Sequence, residues 1–170
     1  GTTWTVSTVD AVGDVGFDNS IAINGSGQPH ISYYDQTNKD LKHAAWNGST
    51  WTLSPVDSIG FVGFDTSIAL DSSGHPHISY ADSANGDLKY ASFNGTSWSV
   101  STVDSADYVG FYSSLVLNSA DVPRISYHDL TNSAQKYAVW NGTAWTLTTV
   151  DAGPSVGTYG SLALDGSGNP

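Results

Sequence analysis

The sequence predicts an all-β chain made of one four-stranded antiparallel unit repeated along its length, and three observations carry that expectation. First, a 47-residue offset aligns Trp4, Trp51, Trp98 and Trp145, then Val9-Asp10, Val56-Asp57, Val103-Asp104 and Val150-Asp151, with no slip in register. Val15-Gly16, Val62-Gly63, Val109-Gly110 and Val156-Gly157 follow at the same period, as do Ser20, Ser67, Ser114 and Ser161 and then Pro29, Pro76, Pro123 and Pro170. Second, 18 Gly, 9 Tyr and 6 Trp stand against only 12% charged residues, whereas surface helices need more Lys, Glu and Ala. Third, each repeat divides into four short runs rich in β-branched and aromatic residues, punctuated by turn residues and free of any helical period.

In the first repeat, run A is Ser20–Asn24 and run B is Pro29–Asp35, joined by the hairpin composition Gly25-Ser26-Gly27-Gln28. Run C is Leu41–Asn47, and run D, Trp51–Asp57, is reached through Asn47-Gly48, a dipeptide that predicts a type I′ turn. Four strands per 47 residues is the pattern of a β-propeller blade. A β-solenoid is the structural competitor, but its coils are generally shorter and lack such a hairpin. A single blade cannot bury its own faces, so Ile21, Ile68, Leu115 and Leu162, with Trp46, Phe93 and Trp140, are expected to form layers between blades. The motifs Ser-(Ile/Leu)-Ala-(Ile/Leu)-Asp/Asn, Pro-His-Ile-Ser-Tyr and Lys-Tyr-Ala-x-(Trp/Phe)-Asn-Gly resemble the repeats of secreted bacterial propellers. That resemblance implies architecture and leaves activity open.

The expected organisation is a single repeat domain over residues 1–170, with repeats 1–47, 48–94 and 95–141 and a partial repeat 142–170, or about 3.6 repeats in a partial ring. In run order the chain reads D, then A-B-C-D three times, then A. Propellers typically have about 4 to 8 blades, so the chain is expected to belong to a longer ring or to associate with copies of itself, as a homodimer or larger ring. Two copies supply strands for seven blades, although their leftover strands are D, A, D and A. Unpaired edges at Thr5–Val9 and Ser161–Asp165 favour such pairing.

Five Lys plus Arg against 16 Asp plus Glu leave a formal charge of −11, which repels phosphate backbones and anionic membrane surfaces. Nucleic acid and membrane are therefore not expected partners, and no stretch approaches the roughly 20 apolar residues that cross a bilayer. The absence of Cys removes disulfides and thiolate zinc sites. With no Met and Gly1 at its start, the sequence reads as a mature, cleaved or excised segment, expected outside the cell or at its surface.

Strand alternation sends the D-to-A and B-to-C connections to one end of the blades, and this end, read as carrying the longer loops, is the expected binding face. It gathers the acidic residues Asp14, Asp18, Asp35, Asp40, Asp65, Asp82 and Asp87 beside Phe17, Phe61, Phe64, Tyr108, Phe111 and Tyr112. Aromatic rings stack on the apolar face of a pyranose while carboxylates accept from its hydroxyls, so a lectin-like role follows, set against the plainer use of Asp in turns and aromatics between blades.

Other chemistry finds less support. No Asp-x-Asp-x-Asp-Gly loop with a distant Glu is present, which leaves at most a weak calcium site and no cofactor. Gly25-Ser26-Gly27 and Gly166-Ser167-Gly168 open into strands and read as hairpins, not phosphate cradles. His30 and His77 share one blade position that becomes Arg124 in the third repeat, which suits a structural role better than a catalytic base or metal ligand. No nucleophile elbow occurs, and a sialidase-type arginine cluster cannot be built from one Arg. Asn24, Asn47, Asn94 and Asn141 match the glycan acceptor pattern but are assigned to turn chemistry. The reading is a non-enzymatic binding or assembly module for carbohydrate or a protein surface. The alternatives are a fragment of a propeller glycoside hydrolase or lyase, and a purely structural repeat segment of a surface or viral protein.

Overall fold

The computed structural model describes residues 3–154 and 156–170. It contains twelve strands: β1 (Val15–Ile23), β2 (Pro29–Asp35), β3 (Asp40–Trp46), β4 (Trp51–Asp57), β5 (Val62–Leu70), β6 (Pro76–Asp82), β7 (Asp87–Phe93), β8 (Trp98–Asp104), β9 (Val109–Leu117), β10 (Pro123–Asp129), β11 (Ala134–Trp140) and β12 (Trp145–Ala152). They form three antiparallel meanders, β1-β2-β3-β4, β5-β6-β7-β8 and β9-β10-β11-β12, each a complete blade of an open β-propeller. The first strands of successive blades, β1, β5 and β9, lie side by side as the inner strands.

The hydrophobic core lies between blades rather than within them. Leu41 of blade 1 packs with Val62, Ile68, Ile78 and Tyr80 of blade 2, and Leu88, Tyr90 and Val103 of blade 2 pack with Val109, Leu115 and Ile125 of blade 3. The expected layer of Ile and Leu residues forms wherever a preceding blade exists: Ile68 and Leu115 are 6% and 5% exposed. Ile21, at the free face of blade 1, is 61% exposed.

The repeated Val-Gly pairs make the inner strands longer than expected. Each inner strand begins at Val15, Val62 or Val109 and passes through a β-bulge before reaching its alternating run. At Gly63 (φ 107°) an added Cβ would stand 2.9 Å from the Leu41 Cα, and at Gly110 (φ 96°) 2.8 Å from the Leu88 Cα. Glycine therefore lets each inner strand press against the third strand of the blade before it. Two backbone bonds seal these junctions, Val62 N–H to Lys39 O at 3.1 Å and Val109 N–H to Gly86 O at 2.9 Å. A side-chain ladder reinforces them, in which the amides of Ile68, Leu115 and Leu162 donate to Ser20, Ser67 and Ser114 Oγ at 3.2, 3.0 and 3.0 Å.

Three expectations are corrected. The flanking runs Thr5–Val9 and Ser161–Asp165 are not strands here and make no ladder with the described strands; Trp4 is 93% exposed. The Asn47-Gly48 loop is not a type I′ turn, since only Gly48 has positive φ. Instead Asn47 Oδ1 accepts from the amides of Ser49 and Thr50, both at 2.9 Å, and the Asn47 amide donates to Thr50 O at 3.1 Å. Finally, neither end of the blades carries longer loops: every connection between described strands spans four or five residues.

Candidate functional site

The two ends of the blades differ in chemistry. At the end carrying the D-to-A and B-to-C connections, one arrangement recurs three times. Tyr33 O–H donates to Asp10 Oδ2 at 2.8 Å and Lys42 Nζ donates to the same oxygen at 2.5 Å, while Asp35 lies 3.6 Å from Lys42. Tyr80, Lys89 and Asp82 surround Asp57 in the same way, and Tyr127, Lys136 and Asp129 surround Asp104. Each central Asp belongs to the segment before its partners' blade, so the network bolts one unit to the next. Burial works against the charge on Asp10, but Lys42, the Val12 amide and Tyr33 outweigh it and hold its carboxyl at about 2. Burial and the adjacent carboxylate push the Tyr80 and Tyr127 hydroxyls far up, so they stay protonated and donate to that carboxylate.

The residues singled out from the sequence scatter across this end. Asp35 and Asp82 are 1% and 2% exposed and committed to the ion network and to their turns, where Asp35 accepts from the Asn38 amide and Asp82 from the Ala84 and Asn85 amides. Phe64 packs on Tyr34 at 4.2 Å, Phe61 lies under Lys39 at 4.1 Å, and Tyr108 packs on Phe111 at 5.0 Å. Asp14 is exposed beside Thr37, Asp40 and Asp87 begin third strands, and Phe17 is partly exposed on β1. Asp18, Asp65 and Tyr112 come together around one recess. They occupy equivalent bulge positions with φ of 49°, 49° and 51° and line a shallow recess of about 320 Å³ along the inner strands. Asp65 accepts from the Tyr112 amide at 3.0 Å. Burial, opposed by that bond and aided by Asp18, raises its carboxyl.

The larger cavities lie at the opposite end, in the grooves between blades, and repeat with the 47-residue period. The groove between blades 1 and 2, about 500 Å³, has His30, His43 and Ser54 on one side and Pro76, Phe93 and Trp98 on the other. The groove between blades 2 and 3, about 350 Å³, places His77, Tyr90 and Ser101 opposite Pro123, Trp140 and Trp145. In each, two aromatic rings set at an angle make one wall: Phe93 and Trp98 at 5.3 Å and 51°, Trp140 and Trp145 at 5.5 Å and 61°. The other wall is a hydrogen-bonded pair with small hydroxyl residues beside it. In the first groove that pair is His30 Nδ1 with His43 Nε2 at 3.1 Å, and in the second it is His77 with the Tyr90 hydroxyl. Burial, helped by His30, holds the His43 imidazole down at about 4, so at neutral pH this wall is uncharged. Trp98 meets His43 edge-on at 5.4 Å, and Trp145 meets Tyr90 likewise at 5.2 Å.

Sequence reasoning found these residues without finding the grooves. The Trp and His positions were visible as repeat markers and interblade layers, and equal spacing reads as structure. The distinguishing signal was variation inside the repeat: His43 becomes Tyr90, Gly74 becomes Asp121 and Phe93 becomes Trp140, while Asp57, Tyr80 and Lys89 recur unchanged as Asp104, Tyr127 and Lys136. Among the described residues no group of three or more His, Cys, Asp or Glu is arranged to hold a metal ion.

No protein-family model matches the chain, and no curated protein matches it in sequence. Solved structures share its fold. A fucose lectin from Kordia zhangzhouensis, in complex with methyl-fucoside, aligns at TM-score 0.54 and 21% identity over 76% of this chain and 96% of the lectin. The Aleuria aurantia lectin, as an N224Q mutant with Fucα1-6GlcNAc, aligns at TM-score 0.52 and 14% identity over 79% of this chain and 47% of the lectin, so the chain matches about half its length. A Bacteroides ovatus protein described as a candidate glycoside hydrolase aligns at TM-score 0.49 and 14% identity over 92% of this chain and 51% of its own.

Proposed function

We propose that this chain is a non-enzymatic carbohydrate-binding module that takes saccharides into the grooves between successive blades. The observation that carries this reading is the repetition of one chemistry in two grooves: an aromatic wall facing an uncharged polar wall with small hydroxyl residues, at cavity sizes suited to one or two sugar rings. Aromatic rings stack on the C–H face of a pyranose, and imidazole and hydroxyl groups exchange hydrogen bonds with its hydroxyls. The two lectins that share the fold, each described in complex with a fucoside, support the same class of ligand.

Binding is favoured over hydrolysis on one further observation. Glycosidases flank the scissile bond with two carboxyl groups about 5 to 9.5 Å apart. Among the described residues no carboxylate lines the first groove, and in the second Asp121 is engaged by the Ser72 amide at 2.9 Å and its hydroxyl at 2.6 Å.

Titration of the chain with methyl α-fucoside and other neutral methyl glycosides, followed by calorimetry and tryptophan fluorescence, tests the reading. Binding at two sites per chain is expected, with Trp98→Ala and Trp145→Ala each removing one. No heat and no fluorescence change with any glycoside at millimolar concentration would overturn it.

Two accompanying readings are also proposals. The exposed apolar face of blade 1 supports self-association, because the equivalent face of every later blade is covered. Light scattering over a range of concentrations tests this, and a constant monomer mass argues against it. An extracellular or surface location suits a glycan-binding role; among the described residues no helix is long and apolar enough to cross a membrane.

A further inference from the structure

We infer that the groove between blades 2 and 3 selects saccharides that carry a protonated amine, with Asp121 as the residue that sets the preference. This deepens the carbohydrate-binding reading and rests on it. The two grooves share one architecture, so the residues by which they differ are the ones that can tell ligands apart. Two of those differences bring in carboxylates. Where blades 1 and 2 meet with Asn24 and Gly74, one repeat forward stand Asp71 and Asp121. Gly74 lines the first groove, whereas Asp121 lines the second, contributed by blade 3 together with Trp140 and Trp145.

The turn between β9 and β10 fixes the Asp121 side chain. Its φ is 58°, a left-handed conformation that Gly74 adopts at the matching place with φ 81°, and its amide donates to Asn118 O at 2.9 Å. From blade 2, the amide and hydroxyl of Ser72 each donate to one of its two oxygens. A carboxylate offers about four acceptor positions, so Ser72 leaves roughly half of them for a ligand.

The charge is also left without a cation. Among the described residues Asp121 is paired with no lysine or arginine: Lys42, Lys89 and Lys136 are held by aspartates at the other end of the blades, Lys39 lies over the Phe61 ring, and Arg124 donates to the Tyr137 hydroxyl. The groove's own imidazole does not supply one either. His77 has Asp71 3.6 Å from its Nε2 and feels Asp121 as well, yet burial outweighs both carboxylates and holds the ring below its ordinary value. At neutral pH the groove therefore keeps an uncompensated negative charge beside its aromatic wall.

That wall favours the same ligand. Phe93 of the first groove becomes Trp140, so the second presents two indoles, Trp140 and Trp145, 5.5 Å apart. Indole is the side chain whose face attracts a cation most strongly. An amino sugar uses each part: its ring stacks on an indole, its hydroxyls meet Ser92, Ser99 and Ser101, and its ammonium donates to Asp121. Charge-assisted hydrogen bonds are about twice as strong as neutral ones. A cavity of about 350 Å³ with hydroxyl residues suits a sugar ring better than a small ammonium alone. The net charge of −11 draws cations toward the chain.

The experiment titrates the full chain with methyl β-glucosaminide, methyl N-acetyl-β-glucosaminide, methyl β-glucoside and methylammonium chloride at about pH 6, where an amine is protonated and a carboxylate is not. Indole Nε1–H signals of Trp145 and Trp98, followed by NMR, report the second and first grooves separately. The glucosaminide is expected to bind about tenfold or more tightly than the glucoside at Trp145, with no such preference at Trp98, and the N-acetyl sugar to behave as the glucoside does. Asp121→Asn keeps an acceptor for Ser72 and removes the charge, while Asp121→Gly installs the first groove's residue at a φ glycine adopts freely. Both should abolish the preference. Equal affinity for glucosaminide and glucoside at Trp145 overturns this proposal while the carbohydrate-binding reading stands, as does a preference unchanged in either variant. Methylammonium matching the glucosaminide shows a cation site without sugar selectivity and overturns it too. If no compound moves either indole, both readings fail. Asp121-dependent glucosaminide binding with no neutral glycoside bound anywhere leaves this site standing and removes the neutral-ligand reading of the grooves.

Discussion

The two ends of the blades use side chains in opposite ways. At one end the same Asp, Tyr and Lys recur in every unit and bond to one another across the junction. At the other, the residues at equivalent places change from groove to groove: His and His, then His and Tyr, then Arg and Tyr. A residue whose work is to join identical units must be repeated with them, whereas a residue that meets a ligand is free to differ. Of the acidic residues that first suggest a binding face, Asp35 and Asp82 are consumed in assembly, whereas the proposed saccharide grooves lie at the other end.

The comparison breaks most directly at Lys89. Lys89→Met leaves Asp57 and Asp82 buried with one charge partner removed, and should cost about 3 to 5 kcal/mol in urea denaturation. Ser97→Ala on the rim of the first groove should shift stability by less than about 0.5 kcal/mol. Equal effects at the two ends would dissolve the distinction.

Next in size is glycine at the junctions. Gly63→Ala places a methyl group against the Leu41 backbone as well as straining φ, and should cost about 1 to 3 kcal/mol. Gly16→Ala has the same kind of φ but nothing within 4 Å, so it should cost distinctly less. The difference between the two melting temperatures isolates the packing contribution from the backbone contribution.

The smallest effect is a titration. His43 is held at about 4 against 6.5 when free, so the folded state binds fewer protons than the unfolded state in that interval. Its stabilising contribution is complete above pH 6.5 and is lost as the pH falls from 6.5 toward 4. His43→Tyr, which imports the blade 2 residue, should flatten the stability profile between those values. A profile unchanged by the substitution would place the acid sensitivity elsewhere.

How much of this was legible in the sequence follows from the same contrast. Strict periodicity in Trp, Val-Asp and Pro revealed the blades, because every unit buries its faces against a copy of itself. The start of each inner strand was obscured, since Gly16 and Asp18 break the alternating pattern while the bulge they form keeps the strand paired. The grooves were hidden because Phe93 and Trp98, or Trp140 and Trp145, are adjacent only across a hairpin, and their facing His and Tyr come from another blade. Asp35 and Asp82 resembled ligands for the complementary reason: sequence shows a carboxylate at a strand end but not the lysine that reaches it.

The serine ladder, in which each blade's inner-strand amide donates to the serine of the blade before it, couples every unit only to its immediate neighbours. The blades therefore behave as beads with nearest-neighbour coupling, and opening should begin at the outer blades and work inward. In native-state hydrogen exchange the amides of Ile78, Leu88 and Tyr90 should be the slowest, and the equivalent amides of Ile31 and Leu41 should be released sooner. Attaching another repeat to either side would then slow exchange in the blade it covers, long before it changed anything in the blade beyond.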